Sequence, residues 1–195
     1  MHMKFALIRA RTRRSLRRFL ADKRGVSAVE FAMLLPLMVT LYLGGVEVSQ
    51  AVAVDRKMTL VARTLADLTA QATSVNDSDM SNIKAAATAV VAPFDDTKLG
   101  FTISSVVIDA QKVAKIKWSD NRNGTVRTPG DVVTVNDTLK ESTTYPIYLI
   151  WAESKYAYTP TVGYVITGTM NLTDQIYMRP RQSDCVLRPN TQTAC

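Results

Sequence analysis

Residues 51–72 read AVAVDRKMTLVARTLADLTAQA, and the spacing of their apolar side chains decides how the rest of the chain is organised. Ala51, Val54, Met58, Val61, Leu65, Leu68 and Ala72 recur in alternating steps of three and four, which draws one apolar stripe along a helix. No proline or glycine interrupts residues 46–92. A stripe of this kind needs a surface to cover it. The simplest cover is the chain's own globular domain; the alternative is a second subunit lying along the same face.

Toward the N-terminus the helical character turns oily. Residues 31–46, FAMLLPLMVTLYLGGV, carry no charge, and the window 26–54 is interrupted only by Glu30 and Glu47. That window is long enough to cross a bilayer, which takes about 20 residues. Read as one helix, residues 26–72 would extend about 70 Å. Before the window lies a basic arm. Residues 1–24 hold nine Lys and Arg side chains against Asp22 alone, and the other 171 residues sum to −1 within the chain total of +7. The basicity therefore marks membrane topology and does not mark nucleic-acid binding. An arm of this sign stays on the cytoplasmic side, so residues after about 50 face outward.

Toward the C-terminus, SVNDSD (74–79) reads as a break, with Ser78 or Asp79 as the cap of a second helix over 80–92 that ends at Pro93. Beyond it the sequence turns β-type. FTISSVVID (101–109), VAKIKWS (113–119), VVTV (132–135), YPIYLIWAES (145–154), TVGYVITGTMNL (161–172) and DQIYM (174–178) are strand candidates, and Asn123–Gly124 is a hairpin-turn candidate. The expected fold class is α+β, a long N-terminal helix packed on a mostly antiparallel sheet. The expected divisions are a basic leader (1–25), a transmembrane helix (26–54), an extramembrane helical region (55–92) and a β-rich domain (93–195).

The chemistry available to this chain is narrow. Its one histidine is His2, so Ser-His-Asp and Cys-His catalysis are unavailable to an outward domain, and no phosphate-cradling glycine motif occurs. SDNRNG (119–124) resembles a calcium loop only faintly, because Gly130 stands where the bidentate Glu belongs. Neither a catalytic residue nor a metal or cofactor is expected. Asn76, Asn123, Asn136 and Asn171 begin N-x-S/T triplets, which are common by chance in turns and strand ends. The aromatics of residues 145–158 could line a ligand site, though filling the core face of a sheet is the commoner use. Cys185 and Cys195 enclose nine residues, and in an oxidising compartment a disulfide between them would pin the C-terminal tail; otherwise Cys195 is free or joins another chain.

Residues 1–54 admit three readings. One is a secretory signal peptide cut near Ala51-Val52-Ala53, opposed by Glu30 and by the length of the apolar run. Another is an unprocessed anchor, with Glu30 one turn inside the membrane boundary, carrying an outward ligand-binding module. The third rests on the spacing in RGVSAVEF. Here a glycine ends the basic arm and a glutamate follows five residues later, which resembles the processing site of type IV pilins and their relatives. A cut after Gly25 would make Val26 a cationic N-terminus, and Glu30 would be its anionic counterpart. Neither charge is welcome alone in lipid.

The run RGVSAVEFAMLLPLMVTLYLGGVEVSQ (24–50) narrows the resemblance. With Ala28–Ala32, Leu35-Pro36 and the Gly44-to-Glu47 segment, it is similar to TadE-like proteins, pseudopilin-type components of the Tad (Flp) pilus system. YMRPRQSDC (177–185) also resembles the C-terminal end of such proteins. The resemblance implies a single-span inner-membrane protein with an outward, periplasmic domain. Its implied partners are a prepilin peptidase and other pilus subunits, its role is assembly of a fibre for adhesion and biofilm formation, and it has no enzymatic activity. Glu30 would set subunit register by pairing with the Val26 amine, and Pro36 would supply a bend in the span.

Overall fold

The structure, a computed structural model, describes residues 24–142, 144–160, 163, 167–192 and 194–195. The basic arm as far as residue 23 and five residues of the 161–172 strand candidate lie outside the described residues. Two compact units divide at Val46/Glu47. The described residues of the first unit form the beginning of helix α1 (Arg24–Ala70). The second unit contains the rest of α1, helix α2 (Asp77–Val91) and five strands.

The fold is α+β. Strands β1 (Leu99–Ile108), β2 (Ala114–Arg122), β3 (Val132–Val133), β4 (Ile147–Tyr158) and β5 (Met170–Met178) form one antiparallel sheet in the order β3-β2-β1-β4-β5. The apolar stripe of α1 packs within this second unit. Val54, Met58, Val61 and Leu65 are fully buried, in one cluster with Phe101, Ile103, Trp118, Ile150 and Tyr156 of the sheet, and Ala51, Leu68 and Ala72 pack at its margin. The chain's own domain is therefore the surface that covers the stripe. Each of the four central side chains contributes roughly 1.5–3 kcal/mol by leaving water. Ser154 Oγ adds a tie from β4, donating to the Met58 carbonyl at 2.8 Å.

Helix α2 starts earlier than its sequence suggests. Asn76 is the cap, with its side chain accepting from Asp79 N–H at 2.9 Å while Asp79 accepts from Asn76 N–H at 3.1 Å. Ser78 and Asp79, the expected caps, lie inside the first turn, because a reciprocal Asn/Asp box satisfies two orphan donors at once. Ala92, just before Pro93, closes the helix as expected.

The β1–β2 hairpin turns on Asp109, which accepts from Gln111 N–H at 3.1 Å and Val113 N–H at 2.9 Å, with Lys112 at φ 61°. These donors and Lys115 hold the Asp109 carboxyl below its ordinary value, Val113 contributing most. The expected Asn123–Gly124 hairpin does not form. Residues 123–131 instead cross the face of the sheet opposite α1. Gly124 is there because a Cβ would stand 2.4 Å from the Phe101 carbonyl oxygen. Thr102 Oγ1 holds the Thr125 carbonyl at 3.1 Å, Arg127 pairs with Glu153 and lies 3.9 Å over the Trp151 ring, and Gly130 N–H returns to Ile116 at 2.8 Å. This strap leads into Val135 and Leu139, which cover a second apolar cluster of Val106, Ile108, Ile116, Leu149 and Trp151. Central strand β1 is thereby covered on both faces, which explains its nearly unbroken burial.

Candidate functional site

Two places carry features that a scaffold alone does not require. The first is the N-terminal half of α1. Val26, Phe31, Leu34, Leu37 and Leu41 are all more than half exposed, and Met33 and Tyr42 exceed 70%. Helix Gly25–Ala70 is the one described helix long and apolar enough to cross a membrane, and none of its most apolar window is buried. So much contiguous apolar surface does not stay in water; lipid or another protein covers it.

Gly25, Val26 and Glu30 lie in this helix, and among the described residues nothing beyond the helix's own neighbouring backbone comes within 4 Å of the place a Gly25 Cβ would take. Val26 and Glu30 are four residues apart, so they share one helix face about 5–6 Å from each other. Pro36 lies inside the helix and cannot donate to Ala32, and Thr40 Oγ1 donates to the Pro36 carbonyl at 2.8 Å. Ala51-Val52-Ala53, the signal-peptidase candidate, lies well inside α1, directly before the fully buried Val54. A protease that needs extended backbone does not meet it there.

Glu47 is buried to 1% exposure in the second unit. Its carbonyl accepts from Tyr158 Oη at 3.2 Å. Burial, with the Glu47 charge adding to it, raises the Tyr158 phenol above its ordinary value. The glutamate after the apolar run therefore belongs to the β-domain's interior.

The second place is the C-terminal loop. Cys185 and Cys195 are joined in a disulfide, with Cα atoms 5.7 Å apart. The loop they close is clamped across the second unit. Leu187 exchanges backbone hydrogen bonds with Thr73 and Val75 at 3.0 and 2.9 Å, in the turn between α1 and α2. Trp118 Nε1 donates to the Val186 carbonyl at 2.8 Å. Arg188, 12% exposed, pairs with Asp77 at 2.7 Å and Asp120 at 3.0 Å and donates to the Val75 carbonyl. Asp120 also pairs with Lys84. The faint calcium loop thus has its one aspartate committed to two cations, and no cluster of three or more potential metal ligands occurs among the described residues. Neither Trp118 nor Arg188 stood out as a site residue in the sequence, because each partner lies 68 or more positions away.

Closing a loop of this size restricts the unfolded chain, so Cys185→Ser is expected to lower stability by about 3 kcal/mol. Thermal unfolding of the full chain in detergent, with and without reductant, measures this. The variant's melting temperature should match that of the reduced wild type.

The tyrosine and tryptophan side chains of 145–158 are mostly packing groups. Tyr156 and Tyr158 lie in the helix-side core, and Trp151 lies in the outer cluster, stacked on Tyr177 at 5.3 Å. Asn76 and Asn136 of the N-x-S/T triplets cap helical turns, and Asn123 takes a left-handed φ of 50°.

Compared with known protein families, residues 25–67 match the model described as TadE-like protein. No curated protein and no solved structure matches the chain. The matched segment begins at the glycine of the basic-to-apolar junction and ends within the buried stripe, and with the apolar helix it fits a pilin-like, single-pass membrane protein.

Proposed function

We propose that this chain, TadE-like through residues 25–67, is a minor pilin or pseudopilin of a Tad (Flp) pilus assembly system and has a structural role, not an enzymatic one. The observation that carries this reading is the helix that contains the candidate cut, exposes the apolar residues after it and buries its later half in an α+β domain. In this reading residues 1–25 are a cytoplasmic leader, the expected span that begins at Val26 crosses the inner membrane with its exposed apolar part and ends short of the buried Glu47, the helical region continues outside the membrane to residue 92 with α2, and 93–195 complete the outward, periplasmic domain. A prepilin peptidase removes the leader after Gly25. The fibre to which the protein contributes serves adhesion and biofilm formation.

The new α-amine at Val26 would sit at a helix N-terminus, where the helix dipole disfavours a cation. Glu30 offsets that charge, either along its own helix face or across to a neighbouring subunit. Pairing between subunits sets the axial register of the fibre, because any other register leaves a charge unpaired in an apolar setting.

Mass spectrometry of the protein extracted from its native membrane tests the processing step. The expected N-terminal residue is Val26. A chain that still begins at Met1 when the peptidase is present refutes the cut and returns the protein to the class of unprocessed membrane-anchored binding modules.

A further inference from the structure

The Cys185–Cys195 disulfide has one closed side and one open side. Cys185 is fully buried; its sulfur accepts from Gln192 Nε2 at 3.6 Å and its carbonyl accepts from Ser183 Oγ at 2.6 Å. Cys195 is exposed. It also lines a groove of about 620 Å³ together with Tyr145, Pro146, Tyr148, Arg179, Pro180 and Asp184. The two residues of one bond therefore differ sharply in exposure, Cys185 closed in and Cys195 open to solvent.

We infer that Cys195 is the exchange sulfur of this disulfide, and that the groove beside it receives the active-site segment of a dithiol–disulfide oxidoreductase. Cys195 is the cysteine in the groove's lining, so a partner that exchanges with this disulfide would meet it there, beside the charged Arg179 and Asp184. The reaction balances in two displacements. The Cys195 thiolate attacks the oxidant's disulfide, forms a mixed disulfide and releases one oxidant thiolate. The Cys185 thiolate then attacks the Cys195 sulfur, closes the internal bond and expels the second oxidant thiolate. Two protons leave the chain's thiols and two electrons reduce the oxidant.

The fold prepares the second displacement. The ties of Leu187 and Arg188 to the α1–α2 turn and to Asp120 involve neither cysteine, so they hold the loop while the bond is still open. Cys185 is then already seated where Cys195 closes on it.

The inference rests on the outward-facing reading only for where the oxidant is met. Sulfur-by-sulfur reactivity is a property of the purified chain, so it can fail while the membrane reading stands. The full chain in detergent, as wild type, is reacted with a limiting amount of glutathione, and free thiols are then alkylated. Mass spectrometry should find glutathione on Cys195 and the alkyl group on Cys185. The reverse distribution, or an even one, overturns the assignment. In the single variants, the Cys195 thiol of Cys185→Ser should react with an aromatic disulfide reagent at least about tenfold faster than the Cys185 thiol of Cys195→Ser, and the rates should converge in denaturant. Equal rates in the folded variants overturn it. Arg179→Ala should slow oxidation by a bacterial dithiol oxidase severalfold and leave the rate with the small reagent unchanged. An unchanged rate with the protein oxidant removes the groove from the proposal.

Discussion

Glu30→Ala is expected to leave membrane insertion intact and to abolish pilus incorporation. Glu30 is the one charged residue between Gly25 and Val46, on a surface otherwise made of apolar and small side chains. A carboxylate costs at most about 2.5–3.5 kcal/mol at the centre of a span and less near its end, where Glu30 lies, so its removal does not hinder insertion. What is lost is the counter-charge for the Val26 amine. Where subunits pack side by side, an unmatched ammonium buried from water destabilises the contact by about 3–5 kcal/mol, roughly a hundredfold or more in an association constant. Membrane fractionation reports insertion, and shearing the cells and counting pili reports incorporation. Normal piliation with Glu30→Ala would sink the register role. A variant that inserts poorly would locate the pairing within a single chain, along the face that Val26 and Glu30 share.

Trp118→Ala should be the most damaging single change in the β-rich unit. Trp118 is the bulkiest of the fully buried side chains, and it sits where α1, the sheet and the C-terminal loop meet. Large-to-small replacement of a buried aromatic costs about 3–5 kcal/mol, most of it from the cavity and the lost contacts. It would also strip the Val186 carbonyl of its donor. For a domain of this size the melting temperature should fall by roughly 10 °C or more. Trp118→Phe separates the two effects. It keeps most of the volume, loses the hydrogen bond and leaves a smaller gap, for about 1–3 kcal/mol. Differential scanning calorimetry of the full chain in detergent gives both values. If Trp118→Phe is as damaging as Trp118→Ala, the Val186 bond and not the packing is the principal contribution.

The parts of this molecule that rest on local rules were open to sequence reading. The stripe from Val54 to Leu65 is periodic because a helix repeats every 3.6 residues, and the same residues are the buried ones. The apolar run beside a basic arm follows from what lipid excludes. The Cys pair lies close enough in sequence for a small loop to be the natural closure. The structure departs from local expectation where two local signals compete. Asn76 displaced Ser78 as cap because only Asn76 has a carboxylate three residues on that can answer it. Asn123–Gly124 carries a hairpin signal, but Gly124 is spent on a close approach to Phe101.

Local sequence suffices for an α+β chain with a long helix that is oily at one end and striped at the other, with a carboxylate five residues after a glycine. What the stripe meets, how the strap covers the sheet's second face and where the C-terminal loop is fastened emerge only in the assembled fold. The difference is one of range. Helix periodicity, caps and membrane burial are set by neighbours a few residues apart. The pairing of Arg127 with Glu153, of Arg188 with Asp77 and Asp120, and of Trp118 with the Val186 carbonyl joins groups that nothing in their local sequence associates. Those pairs exist because a sheet in the order β3-β2-β1-β4-β5 brings distant segments side by side, and buried polar groups then take the partners that the fold supplies.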